Sequence, residues 1–318
     1  MGVYLGVDTS CYTTSVACVD EDGIVCDRRT VLSVKQGERG LRQSDGLFQH
    51  VRNLETLTEA LFSAIAGREV HGIGVSVRPR PNEESYMPVF LAGRTYAAAI
   101  AAALDVPLIH TSHQEGHVRA ALYGNEQLMG APFLGMHISG GTTEVFHVDD
   151  RRNITLLCGT EDLHAGQFVD RIGVAMGLRF PCGKQLEALA SAFDPAQEYA
   201  KLPAIVREGT CSFSGVETRV QALIKDGGEH PAIAYAAYDC MARTFAKMIA
   251  YAAGHTGNRR VLLAGGVASS PLLRSLLGKR LGERQDIALF FGESALASDN
   301  AVGVALTCRD KLLKSTGE

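Results

Sequence analysis

The sequence has 318 residues, and its 31 basic and 35 acidic side chains give a net charge of −4. This length is enough to bury a large core and predicts one large α/β unit or two lobes. The negative charge argues against a protein that coats nucleic acid through a general basic field. No apolar run reaches the roughly 20 residues of a membrane span, and the 8 cysteines contain no CxxC pair, so we expect a cytoplasmic protein with free thiols and no membrane partner.

The first half of the sequence predicts three strands followed by helix–strand alternation. The polar run Asp8-Thr9-Ser10 is expected to turn the chain between the first two strands. Apolar residues from Leu47 to Ile65 recur at helical spacing and stop before Gly67. The other predicted elements are strands at Val3–Val7, Ser15–Val19, Ile24–Thr30, His71–Val77 and Val106–His110, and a helix at Leu91–Leu104.

The second half repeats this order. Strands are predicted at Phe133–Ile138, Thr143–Val148, Ile154–Cys158, Arg260–Ala264 and Ile287–Phe290, and helices at about 167–177, 215–225, 231–253, 271–281 and from about Asp299. The repeated βββαβα order predicts two related α/β lobes with a central cleft. We place the first lobe at residues 1–112 and the second at 113–318, with the terminal helix able to pack back on the first lobe.

Two histidines four residues apart, His113 and His117, form the sharpest local pattern. On a helix they share one face, where two imidazoles can bind one metal ion. A polar helix face without metal is the alternative. Glu115 does not directly follow the first histidine, which argues against the mechanism of HExxH zinc proteases. A metal site needs a third ligand, for which Asp299 is a candidate.

Glycine pairs mark two further turns. The turn Ser139-Gly140-Gly141-Thr142 lies between two predicted strands, and Gly265-Gly266 lies between a predicted strand and a helix. Glycine lets backbone N–H groups approach a phosphate closely, and the hydroxyls add further donors. Ordinary tight turns explain the same glycines, so each pattern alone leaves the choice open.

Taken in order, these patterns resemble the TsaD/Gcp glycoprotease-like family of the actin–Hsp70–sugar-kinase superfamily. The resemblance runs along nearly the whole chain. Leu5-Gly-Val-Asp-Thr-Ser-Cys11 is similar to the family's LGIETSC, His113-x-Glu-Gly-His117 to its metal motif, and Ser298-Asp299-Asn300 to its TDN. Between them lie Ser139-Gly140-Gly141, Ala165-Gly166 with Asp170, Pro181-x-Gly183, Ser212-Phe-Ser-Gly215 and Gly265-Gly266-Val267.

The resemblance implies a two-lobed actin–Hsp70–sugar-kinase-like fold and transfer of a threonylcarbamoyl group. The donor would be threonylcarbamoyl-AMP, and the acceptor the exocyclic amine of the adenosine 3′ of the tRNA anticodon. A TsaB-like homologue and a TsaE-like ATPase would be partners.

The resemblance also implies roles for individual residues. His113, His117 and Asp299 would hold iron or zinc, and Asp8, which replaces the family's usual Glu, would be catalytic. Asp170 would bind the ribose, and Ser270 stands where the family has a nucleotide-binding Asn. The residues implied to contact ATP or the adenylate are Ser139, Gly140, Gly141, Thr142, Asp170, Gly183, Gly265, Gly266 and Ser270.

The sequence departs from the family on the acceptor side. Tyr12 and Thr13 replace an Asp-Glu pair, and Arg78-Pro-Arg-Pro81 replaces a Gly-Pro-Gly-Leu turn. The two arginines could meet a phosphate, although exposed Arg-Pro runs are usually solvated loops. Two alternatives to a standard transferase therefore stand: a nucleotide- and metal-binding regulatory paralogue, and a carbamoyltransferase or kinase with another substrate.

Overall fold

A computed structural model describes residues 2–10, 12–34, 41–82 and 84–315. The chain divides into two compact units, of which the first comprises Met1–Tyr123 with Ser298–Glu318 and the second Gly124–Ala297. Cys11, the end of the LGIETSC-like motif, lies outside the described residues. The predicted boundary between residues 112 and 113 is too early, since the helix that begins at His113 belongs to the first unit.

The chain alternates strands and helices in both halves. Through residue 121 it forms β1 (Val3–Ser10), β2 (Thr13–Val19), β3 (Ile24–Val31), α1 (Gln43–Ala64), β4 (Val70–Ser76), α2 (Phe90–Leu104), β5 (Leu108–Thr111) and α3 (His113–Ala121). It continues with β6 (Phe133–Ile138), β7 (Thr143–Val148), β8 (Ile154–Gly159), α4 (Ala165–Ala175), α5 (Gly183–Ser191), β9 (Val206–Arg207), β10 (Thr210–Cys211), α6 (Ser214–Lys225), α7 (His230–Thr256), β11 (Arg260–Ala264), α8 (Pro271–Gln285), β12 (Ala288–Phe291) and α9 (Val302–Ser315).

Each unit contains a five-stranded mixed sheet, and the two sheets have the same strand order. The first reads β3-β2-β1-β4-β5 and the second β8-β7-β6-β11-β12. In both sheets, the first three strands in chain order pair in antiparallel fashion. The other two strands run parallel to the central strand, which is β1 in the first sheet and β6 in the second. The predicted repeat of the α/β lobe is therefore confirmed.

One prediction about the elements is wrong, and one helix was not predicted. The run Asp8-Thr9-Ser10 is not a turn, because β1 continues to Ser10, which pairs with Thr13 of β2. Its polar side chains are satisfied inside the unit; the Thr9 hydroxyl, for example, donates to the Val89 carbonyl at 3.1 Å. Helix α5 has no predicted counterpart.

Alternation along β1 directs its side chains to two different layers. Leu5 and Val7 belong to the apolar core that includes residues of α1 and α2. On the opposite face, a Cβ at Gly6 would lie 2.3 Å from the Ala301 carbonyl oxygen, just before α9. Asp8 and Ser10 lie two and four residues after Gly6. Their side chains therefore point to the same face of β1, toward the segment that leads into α9.

The second unit has its own core between its sheet and α7, which is buried along most of its length. Among the described residues, no helix combines the length and apolar character needed to cross a bilayer. The seven cysteines that the structure describes are buried and unpaired, as predicted for free thiols.

Candidate functional site

Helix α3 is fixed at its start by a capping box. The Ser112 hydroxyl accepts a hydrogen bond from the Glu115 N–H at 3.2 Å, and the Glu115 carboxylate accepts from the Ser112 N–H at 2.7 Å. The same carboxylate accepts from the Ser112 hydroxyl at 2.6 Å. Two otherwise unpaired backbone donors are thereby satisfied at the helix start. Glu115 thus orients the helix that carries the two histidines, consistent with the sequence argument against a protease role.

We expect Glu115→Ala to lower the free energy of unfolding by about 1 kcal/mol, because the helix loses half of its capping box. Glu115→Gln preserves a hydrogen-bonding group at the same position and should remain close to wild type. Chemical denaturation measures both values. A Gln variant with normal stability but no catalytic activity would show that the carboxylate takes part in chemistry.

Helices α3 and α9 approach each other through glycine. A Cβ at Gly303 would lie 1.8 Å from the carbonyl oxygen of Gly116, so no larger residue fits without displacing a helix. The Asn300 side chain accepts from the Val302 N–H at 3.0 Å and so supports the start of α9. This close contact brings Asp299, just before α9, next to the histidines of α3.

The three residues predicted to hold a metal, His113, His117 and Asp299, lie together. The Nε2 atoms of the two histidines lie 2.9 Å apart. Asp299 Oδ1 lies 3.2 Å from His117 Nε2 and 3.5 Å from His113 Nε2. One donor atom from each residue lies within 4.8 Å of the others, and each residue is partly buried.

Asp8 lies behind His113 and fixes its orientation. Its Oδ2 atom is 2.6 Å from His113 Nδ1, and its Oδ1 accepts from the Ser10 N–H at 2.8 Å. A carboxylate can only accept here, so Nδ1 carries the proton and, in the neutral ring, Nε2 presents its lone pair to the cluster. Asp8 is 1% exposed. This geometry makes Asp8 a positioning residue rather than the catalytic group expected from the sequence.

The electrostatics of the cluster favour a cation. Burial lowers the pKa of His113, but the carboxylates of Asp8 and Asp299 outweigh it and hold that pKa well above its usual value. Burial raises the pKa of Asp299, yet His113 and His117 hold it well below its usual value. A divalent cation satisfies the same negative field in place of a proton.

The donor set fits a transition metal. Two imidazole nitrogens and one carboxylate oxygen suit zinc or iron, and three protein ligands leave positions open for substrate. The carboxylate–histidine pair formed by Asp8 and His113 is the outer-shell contact that commonly orients a metal-binding histidine. The Ser10 hydroxyl, 3.2 Å from Asp299 Oδ2, orients the Asp299 carboxylate.

The second unit contains the glycine turns. Residues 139–142 join β6 to β7, and the Ser139 N–H donates to the Thr142 carbonyl at 2.8 Å. Gly140 and Gly141 are exposed. A Cβ at Gly166, in the first turn of α4, would lie 2.7 Å from the backbone of Gly140, so the turn rests directly on the start of this helix. The exposed turn beside a helix N-terminus offers donors to an anion.

The Gly265–Gly266 turn lies beside the first one. Strand β11 pairs with β6 up to Ala264 opposite His137. Gly265 has φ +100°, and a Cβ there would lie 2.3 Å from the Ile138 carbonyl oxygen. Both glycine turns therefore stand at the carboxyl ends of neighbouring parallel strands, where α/β folds commonly bind ligands.

The remaining residues predicted to bind nucleotide make hydrogen bonds that connect α4 with the start of α5, and α5 with the start of α8. Asp170 Oδ1 accepts from the Cys182 N–H at 2.8 Å, next to Gly183 at the start of α5. The Ser270 hydroxyl caps α8 by accepting from the Leu273 N–H at 3.1 Å, and it donates to Glu187 at 2.6 Å. The hydroxyl of Ser270, which was predicted to contact nucleotide, therefore makes two hydrogen bonds within the protein.

Glu187 is a polar residue of this region that the sequence analysis missed. It lies one helical turn after Gly183 on α5 and also accepts from the Leu272 N–H at 2.9 Å. The sequence could have suggested Glu187 only through helical spacing from Gly183, because α5 itself was not predicted.

A cavity of about 470 Å³ opens beside Asp170, with Gln167, Arg171 and the exposed ring of Phe180 in its lining.

The chain matches known sequences along most of its length. Residues 48–306 match the family model described as TsaD: tRNA N6-adenosine threonylcarbamoyltransferase. A relative from Thermus thermophilus, named tRNA N6-adenosine threonylcarbamoyltransferase, is 31% identical over 95% of this chain and 90% of its own.

Solved structures resemble the chain in fold. The activator of 2-hydroxyisocaproyl-CoA dehydratase from Clostridium difficile superposes with a TM-score of 0.57 at 14% identity, covering 99% of this chain and 97% of that one. A ROK family glucokinase from Streptomyces griseus has a TM-score of 0.53 at 12% identity, with coverages of 97% and 100%. At these identities the likeness shows the fold alone, and it confirms the predicted sugar-kinase-like class.

Proposed function

The chain belongs to the TsaD family of tRNA N6-adenosine threonylcarbamoyltransferases, and we propose that it transfers a threonylcarbamoyl group from threonylcarbamoyl-AMP to adenosine N6 in tRNA. The single observation that carries the proposal is the cluster of His113, His117 and Asp299, backed by Asp8. Such a cluster has no role in an ordinary sugar kinase, whose Mg²⁺ is bound largely through carboxylates, waters and phosphates.

In the proposed reaction the N6 amine attacks the carbamoyl carbon. A C–N bond forms, the bond from that carbon to the phosphate oxygen breaks, AMP leaves, and N6 loses a proton. Iron or zinc, when bound, supplies a Lewis acid for the carbamoyl or phosphoryl oxygens. His113, His117 and Asp299 would hold it, and Asp8 keeps the proton on His113 Nδ1 so that Nε2 remains a ligand.

The adenylate is assigned to the second unit. The backbone donors of Gly140 and Gly141 suit the phosphate, since both glycines are exposed and rest on the start of α4. The cavity beside Asp170 suits the nucleoside, because it pairs an exposed aromatic face at Phe180 with a carboxylate for the ribose hydroxyls. Burial raises the pKa of Asp170 above its usual value, and the hydrogen bond from the Cys182 N–H offsets only part of this rise.

A second candidate function is a regulatory paralogue that binds metal and nucleotide without transfer. The observation that favours it is the pair Tyr12 and Thr13, where the family carries two carboxylates that can accept a proton. Asp8 does not replace them, because both of its oxygens are already engaged by His113 and Ser10.

Mass spectrometry of tRNA nucleosides tests the proposal, using the full chain with threonylcarbamoyl-AMP and unmodified tRNA, with and without a TsaB-like homologue and a TsaE-like ATPase. We expect threonylcarbamoyladenosine to form. If metal and nucleotide bind but no product forms, the regulatory function is favoured. Product formation by Tyr12→Asp with Thr13→Glu, but not by the wild type, would trace the loss to these two positions.

A further inference from the structure

Cations gather at the edge of the first unit's sheet. Strand β5 forms one of the two edges of this sheet, and its His110 is exposed. The Lys311 ammonium on α9 donates to the His110 carbonyl at 3.5 Å. Arg94 on α2 and Arg78, just after the neighbouring strand β4, complete a group that we name the β5 patch: Arg78, Arg94, His110 and Lys311.

Within the described chain, the three permanent cations of the β5 patch have no carboxylate partner. Some arginines elsewhere in the chain do: Arg68 pairs with Asp20 at 2.7 Å and Arg119 with Asp310 at 2.7 Å. Partial burial, followed by the charges of Arg94, Arg78 and Lys311, lowers the pKa of His110. These cations are therefore close enough to reinforce one another's field, and none is neutralised by an ion pair.

A second observation concerns polar atoms at the carboxyl ends of β4 and β5. Ser76 and Thr111 are neighbours in the parallel pairing of the two strands. Among the described residues, the hydroxyls of Ser76 and Thr111 and the Nε of Arg78 are buried without a hydrogen-bond partner. Buried polar groups are normally satisfied, so an unsatisfied group points to a water, an ion or a ligand. The Nε of Arg78 is therefore a donor that no described protein group accepts.

The β5 patch adjoins the helix that carries the histidines. The Arg78 carbonyl accepts from the His113 N–H at 2.8 Å, and the Pro79 carbonyl accepts from the Gln114 N–H at 3.0 Å. The loop that bears Arg78 is thus hydrogen-bonded to the first residues of α3. An anionic chain bound along the β5 patch would pass beside the metal-binding cluster.

We propose that the β5 patch binds the phosphodiester backbone of the RNA acceptor. The inference rests on the proposed function for its choice of tRNA as ligand. Guanidinium and ammonium groups without acidic partners suit successive phosphates, and such contacts give affinity and position rather than sequence choice. A chain with net charge −4 needs such a local basic surface to bind RNA.

The test measures binding of fluorescent, unmodified tRNA by the full chain over a series of salt concentrations. Arg94→Ala with Lys311→Ala should weaken binding about tenfold near physiological salt and reduce the log–log salt slope by about 0.7–0.9 for each phosphate that is no longer neutralised. The matched control is Arg151→Ala with Lys225→Ala, which removes two exposed cations of the second unit and should leave affinity and slope unchanged. Metal and ATP binding should be normal in both variants.

Equal losses in the two double variants, no loss in either, or a wild type that does not bind tRNA would overturn the inference. So would binding to vesicles of equal parts phosphatidylcholine and phosphatidylglycerol in place of tRNA. The binding assay is independent of transfer. If tRNA binding depends on the β5 patch but no modified adenosine forms, the inference is retained and the proposed function is rejected. If modified adenosine forms but tRNA binding does not depend on the β5 patch, the proposed function is retained and the inference is rejected.

Discussion

His117→Ala is expected to abolish both metal binding and threonylcarbamoyl transfer. The variant removes one of two imidazoles whose Nε2 atoms lie 2.9 Å apart and leaves His113 and Asp299 as an incomplete pair. Loss of a ligand from a three-ligand site should weaken metal affinity by more than the roughly 10–100-fold that outer-shell changes cause. Metal content of the purified protein and formation of modified adenosine measure the two effects.

His230→Ala is the matched control, because this exposed histidine lies in the second unit at the start of α7. It should retain metal and activity. Asp8→Asn should be intermediate, with a fall of about 10–100-fold in metal affinity, since the amide weakens the orientation of His113 without removing a ligand. If His117→Ala still holds a full equivalent of metal, the cluster is not the metal site.

Gly303→Ala is expected to destabilise the first unit by about 3 kcal/mol, at the upper end of the usual cost of overpacking. The added methyl group would lie 1.8 Å from the Gly116 carbonyl oxygen, so α3 and α9 must move apart. Because that contact holds Asp299 beside the histidines, metal affinity should fall together with the free energy of unfolding. Chemical denaturation and metal titration measure the two quantities.

Gly254→Ala provides the control for this change. Gly254 lies on α7 and is exposed, and a methyl group added there would meet no neighbouring atom within 4 Å. At this position alanine should stabilise the protein by about 0.5–1 kcal/mol, because it lowers the entropy of the unfolded chain and favours helix. A Gly303→Ala variant as stable as wild type would show that the two helices do not depend on this close approach.

Local patterns allowed much of the fold to be predicted. Strands β6, β7 and β11 have the bounds expected from their apolar runs, and the i, i+4 histidine pair lies on one helix face as expected. The polar run Asp8-Thr9-Ser10 misled the prediction, because it satisfies its hydrogen bonds through distant partners such as Val89 and Asp299. Such partners are set by tertiary packing, which a local pattern does not encode.

In the candidate site, too, some features follow from local sequence patterns and others only from tertiary packing. That His113, His117 and Asp299 lie together could be anticipated from motifs, but the contact of Asp8 could not, since alternation along β1 turns it toward His113, 105 positions away. The position of Glu115 already argued against a protease role, but only its hydrogen bonds with Ser112 identify it as a helix cap. Ser270 stands at a ligand position in the motif order, yet Glu187 on an unpredicted helix already engages its hydroxyl.

The first unit is discontinuous, with Gly124–Ala297 inserted between its two segments. During synthesis, His113 and His117 leave the ribosome long before Asp299 and α9, because the whole second unit lies between them. The second unit can thus complete its core while the first still lacks the helix that packs on β1 and β4. The proposed metal site is thereby completed only after the second unit has been synthesised, and a chain truncated before Asp299 would carry the glycine turns without the His113–His117–Asp299 cluster.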